Sequence, residues 1–179
     1  MATVAGIDPS LTSAGVAILH DGKPTHIAHY GFSGHKQPPW HFRSRRLRWV
    51  CAKVIADIPT DVDLVAIEAL PEHGKILPST IDRAGLWHGL YGALDARKHR
   101  IAVINPMTLK TWATGHGRAD KATMLATARD WWPDLTIACD DEADAIALGT
   151  AAAFHLGDPM PFDTKPRHTT GLEKVQWPA

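Results

Sequence analysis

The sequence predicts an α/β fold in which helices flank a five-stranded mixed β-sheet. Near the N-terminus three apolar segments follow one another so closely that a parallel crossover has no room between them, so they are expected to pair antiparallel. After them, strand-like and helix-like patterns alternate along the chain, which is typical of layered α/β folds with parallel pairing. The two patterns together predict one sheet with both kinds of strand neighbour.

The predicted elements follow from apolar periodicity and from the turn residues between them. Strands are predicted at residues 3–8, 15–20 and 25–32, and an Asp-Gly pair between the last two is a strong hairpin signal. An apolar stripe at helical spacing predicts a helix at residues 40–57, with its arginines mostly on the other face. The later elements are a strand at 62–69, a helix at 79–98, a strand at 101–104, a short helix opening at Asn105-Pro106, and helices at 120–132 and 141–155.

The chain of 179 residues is predicted to form one domain over residues 1–157, followed by a loosely ordered tail over residues 158–179. Hydrophobic residues make up 45% and charged residues 21%, as in an ordinary globular protein, and no apolar run is long enough to span a membrane. No secretory signal is visible, and Cys51 and Cys139 show neither metal-type spacing nor a disulfide framework. The chain is therefore expected to be cytoplasmic, with both cysteines reduced.

Charge is unevenly distributed although the formal net charge is zero. Residues 22–56 contain no acid and seven lysines or arginines, whereas residues 130–144 carry six acids. This asymmetry favours a basic surface for phosphates beside an acidic centre for a cation. The alternative is two solvated faces of opposite sign. On the first interpretation, four arginines of the predicted helix bind the phosphates: Arg43, Arg45, Arg46 and Arg48.

Four carboxylates are placed so that the predicted fold would bring them together. Asp8 and Glu68 each end an apolar strand, and they meet at one sheet edge if the two strands are neighbours. Asp141 and Asp144 are three residues apart at a helix start, so they share one helix face. Four carboxylates in one place repel one another unless divalent cations lie between them. Two ions about 4 Å apart could activate a water and stabilise the leaving oxygen of a phosphodiester.

Each acid also has a simpler structural interpretation. Asp8 would cap the turn after its strand, and Glu68 would be an exposed strand-end acid. Asp141 and Asp144 would form a first helical turn favoured by the dipole, and Glu142 is expected to point to solvent. The histidines are scattered and are expected to be surface or core residues rather than ligands. The four acids taken jointly, in this order and on these elements, favour the metal site.

The sequence resembles a RuvC-type Holliday-junction resolvase of the RNase H-like superfamily. Four segments carry the resemblance in the family's order: GIDPSLTSAG at residues 6–15, AIE at 66–68, LK at 109–110 with TGHGRADK at 114–121, and DEADAIA at 141–147. They span most of the chain. The resemblance implies an RNase H-like nuclease domain acting as a homodimer that cuts two opposed strands of a four-way DNA junction. It also implies the cytoplasm of a bacterial or virus-infected bacterial cell.

The resemblance implies roles for particular residues. Two lysines of the family match Lys110 and Lys121, which could hold the scissile phosphate or stabilise developing charge. The alternative is a solvated loop lysine and an ordinary helix-start lysine. Arg118, in the glycine-flanked loop between them, is a candidate phosphate contact, and the arginines of the basic helix become a candidate DNA surface. The family's catalytic and metal-binding acids, which take Mg²⁺ or Mn²⁺, match four residues: Asp8, Glu68, Asp141 and Asp144.

The long helix at residues 79–98 occupies the position of the family's dimer helix. Its leucines recur on one stripe, with two aromatic residues beside them. The predicted dimer interface therefore consists of Leu86, Trp87, Leu90, Tyr91 and Leu94. The alternative is that this stripe simply packs on the sheet.

The resemblance is incomplete, and other functions stay open. Cellular members carry an aromatic residue shortly after the acid of the fourth strand, which inserts into the junction centre; here Glu68 is followed by ALPEH at 69–73, so Leu70 substitutes or the feature is absent. One alternative is an RNase H-like nuclease acting on flaps, forks or other branched DNA. Another is an actin-like ATPase or sugar kinase, although 179 residues leave no room for a second nucleotide-binding lobe. The third is a catalytically silent DNA-binding module, against which the presence of all four acids argues.

Overall fold

The computed structural model describes residues 1–33, 38–70 and 77–179. Its strands are β1 (Thr3–Asp8), β2 (Ala14–His20), β3 (Lys23–Tyr30), β4 (Leu64–Glu68) and β5 (Ile101–Ile104). Its helices are α1 (Trp40–Asp57), α2 (Pro78–Ala96), α3 (Pro106–Thr114), α4 (Lys121–Trp131), α5 (Asp140–Leu156) and α6 (Pro166–Thr170). Within this part of the chain no helix is long and apolar enough to cross a membrane.

The five strands form one mixed sheet in the order β3-β2-β1-β4-β5. β1 pairs antiparallel with β2, and β2 pairs antiparallel with β3, because only short turns join them. β1 pairs parallel with β4, and β4 pairs parallel with β5, because helices connect them. The predicted five-stranded mixed sheet is confirmed, and the first and fourth strands are neighbours.

Helices cover both faces of the sheet. Alternate strand residues point to opposite faces, so one half of the buried strand residues packs with α3, α4 and α5, and the other half packs with α1 and α2. On the first face, α5 lies directly over β1 and β2. A Cβ added at Gly6 would collide with the backbone of Ala145, and one added at Gly15 would collide with the backbone of Asp141. The two glycines therefore let the first turns of α5 lie close to the sheet.

The leucine stripe of α2 belongs to the core of this chain. Leu86, Leu90 and Leu94 are fully buried and pack with α1 residues such as Val50 and Val54. The prediction that these leucines form a dimer interface is wrong, because the sheet and α1 already cover them. Trp87 and Tyr91, also assigned to that interface, are half-buried and stack on each other with ring centroids 5.2 Å apart. Trp87 Nε1 donates to the carbonyl oxygen of Glu68 at 2.8 Å, so it also supports the end of β4.

The C-terminal segment is packed, and the prediction of a loosely ordered tail is wrong. Leu172 and Val175 join the core beneath α5, and His168 on α6 is 1% exposed. Trp112 on α3 donates its Nε1–H to the carbonyl oxygen of His168 at 3.1 Å. Arg167 donates to the carbonyl oxygen of Trp112 at 3.1 Å. The sequence of this segment has no apolar periodicity, so it did not predict the packing. A few anchoring contacts are enough to hold the segment, and they require no regular pattern.

Leu172→Ala is expected to lower the free energy of unfolding by about 2–4 kcal/mol, because it leaves a cavity under a buried side chain. Lys174→Ala, two residues away and exposed, should change it by less than about 0.5 kcal/mol. Urea unfolding of both variants measures the difference. Equal, small effects would mean that the tail does not contribute to the core in solution.

Candidate active site

A cleft of about 1200 Å³ opens at the C-terminal edge of β1 and β4. Because these strands are parallel neighbours, the acids at their ends, Asp8 and Glu68, lie side by side at this edge. Asp141 and Asp144 reach the same cleft from the first turns of α5. The structure therefore brings together all four carboxylates that the sequence singled out.

Burial and mutual repulsion disfavour the ionised forms of these acids. Burial raises the pKa of Asp8 well above its usual range, and Glu68, Asp144 and Asp141 raise it further. Burial also raises the pKa of Glu68 to about 7 and that of Asp144 to about 6, although Lys110 opposes both shifts. The clustered negative charge is therefore costly in the protein alone, and a cation in the cleft would relieve that cost.

The donor set fits a hard divalent cation. Asp8 is only 8% exposed, and Oδ1 of Asp144 is buried without a hydrogen-bond partner among the described residues. A buried carboxylate oxygen without a hydrogen-bond donor destabilises the folded protein, and hard cations prefer such oxygens as ligands. These residues could hold Mg²⁺ or Mn²⁺, and among the described residues that line this cleft none supplies a thiolate or an imidazole.

Both predicted lysines line the cleft. Lys110 projects from α3, and its charge lowers the pKa of Glu68 and Asp144. Lys121, at the start of α4, pairs with Asp140, which raises the pKa of Lys121 and lowers that of Asp140. Its side chain is still 74% exposed. The two lysines thus bring positive charge to the open side of an acidic cleft.

The four predicted arginines of α1 do not share one surface. Arg43 and Arg46 line the cleft, but both already have partners there. Arg43 donates to the Asp82 carboxylate at 2.6 to 3.0 Å, and Arg46 donates to the carbonyl oxygen of Leu11 at 2.8 Å.

The other predicted phosphate contacts lie elsewhere. Arg45 and Arg48 are exposed, and Arg48 lines a separate apolar groove between α1 and α2. Arg118 is exposed on the loop between α3 and α4.

Sequence reasoning missed several residues around the mouth of the cleft. Trp40 is 70% exposed there, and the guanidinium of Arg43 lies 4.2 Å from its ring centroid. Asp82 and Arg83 line the cleft from α2. A tryptophan at the first position of an arginine-rich helix was the available signal for Trp40. The loop after Glu68, where cellular relatives carry their aromatic residue, continues into residues 71–76, outside the described residues.

A second cluster lies beside the cleft. Within the described residues, one group of three metal-ligating side chains has its ligand atoms within 4.8 Å of one another, and it consists of His29, Cys139 and Glu142. Glu142 is 6% exposed, so the expectation that it points to solvent is wrong.

Known proteins resemble this chain in sequence and in fold. It is 31% identical to the crossover junction endodeoxyribonuclease RuvC of Corynebacterium diphtheriae over 125 residues, which is 68% of this chain and 74% of that protein. It is 26% identical to the protein of the same name from Bifidobacterium animalis subsp. lactis, covering 97% of this chain and 90% of that one. No protein-family model matches the chain.

Two solved RuvC structures have the same fold as this chain. The chain superposes on Thermus thermophilus RuvC with a TM-score of 0.67 at 19% identity, covering 99% of both chains. It superposes on T. thermophilus RuvC in complex with Holliday junction substrate with a TM-score of 0.66 at 20% identity, covering 88% of this chain and 96% of that one. These likenesses confirm the predicted RNase H-like fold.

Proposed function

This chain belongs to the RuvC family of crossover junction endodeoxyribonucleases, and on that premise we propose that it resolves four-way DNA junctions by divalent-metal-dependent hydrolysis of two opposed strands. The observation that carries the proposal is the convergence of four carboxylates and two lysines on one cleft. Membership of this family excludes the alternative of an actin-like ATPase. Cleavage of flaps or forks remains as an outcome that experiment distinguishes.

The carboxylates are assigned to metal binding. Asp8 and Glu68 would hold one ion, Asp141 and Asp144 would hold the other, and Mg²⁺ or Mn²⁺ suits their oxygens. When bound, the two ions supply an activated water and neutralise charge on the leaving oxygen. The raised pKa values of Asp8, Glu68 and Asp144 support this assignment, because such acids bind a cation in exchange for protons.

The lysines are assigned to the phosphate. Lys110 already lies close enough to Glu68 and Asp144 to lower their pKa, so its ammonium would stand beside a phosphate bound at the same carboxylates. Lys121 is held by Asp140 on the rim and keeps most of its side chain in solvent. Both would stabilise negative charge that develops during cleavage.

DNA is expected to contact exposed arginines of α1 and α2. Arg45 on α1 and Arg83 on α2 are exposed, and Arg83 lines the cleft, whereas Arg43 and Arg46 already support the local structure. Replacing Arg45 and Arg83 together with glutamine should make the slope of log affinity against log salt shallower by about two, since each phosphate contact contributes about one.

Junction binding at several salt concentrations measures that slope. Lys23→Gln is the matched control, because Lys23 is exposed and lies at the opposite end of the strands from Asp8. If the double variant kept the wild-type slope, DNA would follow another path across the protein.

We assign the homodimer to the exposed stripe of α2 that borders α1, because the leucine face of α2 is already buried. The residues exposed on that stripe, at helical spacing, are Ile81, Gly85, Gly89 and Gly92. Gly85 and Gly89 line an apolar groove of about 340 Å³ between α1 and α2, where their lack of side chains would let a second helix approach closely. A paired arrangement would place two clefts on opposed strands of one junction.

Gly92→Arg is expected to convert the dimer to a monomer. A Cβ added at Gly92 meets no described atom within 4 Å, so the fold of the single chain should tolerate the change. Light scattering should give twice the chain mass of 19.5 kDa for the wild type and for Gln176→Arg, an exposed control, and the single mass for Gly92→Arg. A dimeric Gly92→Arg variant would place the interface elsewhere.

The function is tested with strand-labelled DNA. A four-way junction, a flap and a linear duplex are incubated with the protein and Mg²⁺, Mn²⁺ or EDTA. Paired, metal-dependent nicks at opposed positions of the junction are the expected result. Equal cutting of flaps would keep the metal site and overturn the junction claim, and binding without cutting would indicate a silent module.

A further inference from the structure

We infer that His29, Cys139 and Glu142 form a second metal site, selective for Zn²⁺ or a similar transition-metal ion, that joins strand β3 to the first turn of α5. The inference is independent of the proposed nuclease activity. It rests on the position, burial and chemistry of these three side chains and on the group that supports one of them.

Tertiary structure brings the three side chains together from distant positions. His29 lies on β3 opposite Gly15 of β2, and Gly15 is the position where β2 touches the backbone of Asp141. Cys139 is the N-cap of α5, and Glu142 is on its first turn. One ligand atom from each of the three lies within 4.8 Å of the other two, with His29 Nδ1 and Glu142 Oε1 2.8 Å apart.

These distances suit a shared ion. Zinc binds nitrogen and oxygen at about 2.0–2.2 Å and thiolate sulfur at about 2.3 Å, so ligands around a tetrahedral ion lie roughly 3.3–3.7 Å apart. Small side-chain rotations would bring the three atoms to that spacing. The His29 side chain is 46% exposed, so water can reach the fourth position.

The carboxylate is already oriented as a ligand. Glu142 is 6% exposed, and its Oε2 accepts a hydrogen bond from the backbone N–H of Ala138 at 2.6 Å, which leaves Oε1 directed at His29. A ligating carboxylate commonly has its second oxygen fixed in this way. The Ser13 hydroxyl, 3.9 Å from Cys139 Sγ, adds a polar group on the sulfur side.

The donor set separates this site from the cleft. One sulfur, one nitrogen and one oxygen favour zinc-like ions, whereas the four carboxylates of the cleft favour Mg²⁺ or Mn²⁺. An ion at this cluster would tie an edge strand to the turn that carries Asp141. We therefore expect it to stabilise the fold around the cleft without taking part in hydrolysis.

Cobalt reports on this site directly, because only a thiolate ligand gives Co²⁺ an intense near-ultraviolet charge-transfer band. The chain has two cysteines, so Cys51→Ser is the matched control for Cys139→Ser. In excess Mg²⁺, which occupies the carboxylates, the band should appear in the wild type and in Cys51→Ser and disappear in Cys139→Ser. His29→Ala should weaken Co²⁺ binding about tenfold or more, and Zn²⁺ should displace Co²⁺.

Thermal unfolding gives a second measurement. In excess Mg²⁺, Zn²⁺ at about a hundred times its Kd should raise the Tm of Cys51→Ser by roughly 5–10 °C. The Tm of Cys139→Ser should not rise. No charge-transfer band in any variant, or a band that survives Cys139→Ser, would overturn the inference and leave His29 and Glu142 as an ordinary hydrogen-bonded pair.

Discussion

Asp8→Asn is expected to reduce metal-dependent junction cleavage by about a thousandfold or more, while junction binding stays close to that of the wild type. Asp8 is the most deeply buried of the four acids, and the charges of the other three all raise its pKa. An amide of the same shape keeps the packing but removes a ligand charge from the proposed metal site. The substitution should therefore slow the cleavage step and leave the affinity for the junction nearly unchanged.

Single-turnover cleavage and gel-shift binding separate the two effects. Asp134→Asn, an exposed acid in the loop before α5, is the matched control and should cleave normally. Asp8→Asn should also raise the Tm of the metal-free protein at pH 8, because it removes a buried charge. Retained cleavage in Asp8→Asn would reject the assignment of the site.

The metal-free protein is expected to lose stability as the pH rises from about 4 to about 7. Unfolded Asp and Glu have pKa values near 4, whereas in the folded protein the pKa of Glu68 is about 7, that of Asp144 is about 6, and that of Asp8 is also raised. Between those values the folded state binds more protons than the unfolded state, so the free energy of unfolding falls with rising pH. Glu68 alone could contribute roughly 3 kcal/mol.

Divalent ions should reverse this loss, because they neutralise the carboxylates that protons no longer occupy. Thermal unfolding at pH 5, 6, 7 and 8, with EDTA or with Mg²⁺, measures both trends. Glu68→Gln should flatten the pH dependence in EDTA. A metal-free protein that grows more stable from pH 5 to 8 would show that the cleft acids ionise without cost.

Most of the sheet and the convergence of the acids followed from local pattern. Strand and helix periodicity reflects neighbouring residues, and the turns between the first strands are too short for any other pairing. Two acids at the ends of adjacent parallel strands must share a sheet edge. For this reason the sequence alone predicted that four acids would meet in one cleft: Asp8, Glu68, Asp141 and Asp144.

Packing decided the features that local pattern left open. An apolar stripe on α2 looks the same whether it covers the sheet or a second copy, and only the arrangement of α1 and the sheet shows that Leu86, Leu90 and Leu94 are buried. The ordered tail likewise depends on contacts with Trp112, far away along the chain.

The same reason explains the two side-chain pairings that the sequence did not indicate. Asp82 neutralises Arg43 across 39 residues of chain, and His29 meets Glu142 across 113. Sequence-spacing rules detect metal ligands that lie within one local motif, so they did not detect the cluster of His29, Cys139 and Glu142, which is shared between β3 and α5. Periodicity and strand-end position are local properties of the chain, whereas burial and partnership depend on which surfaces meet once the chain has folded.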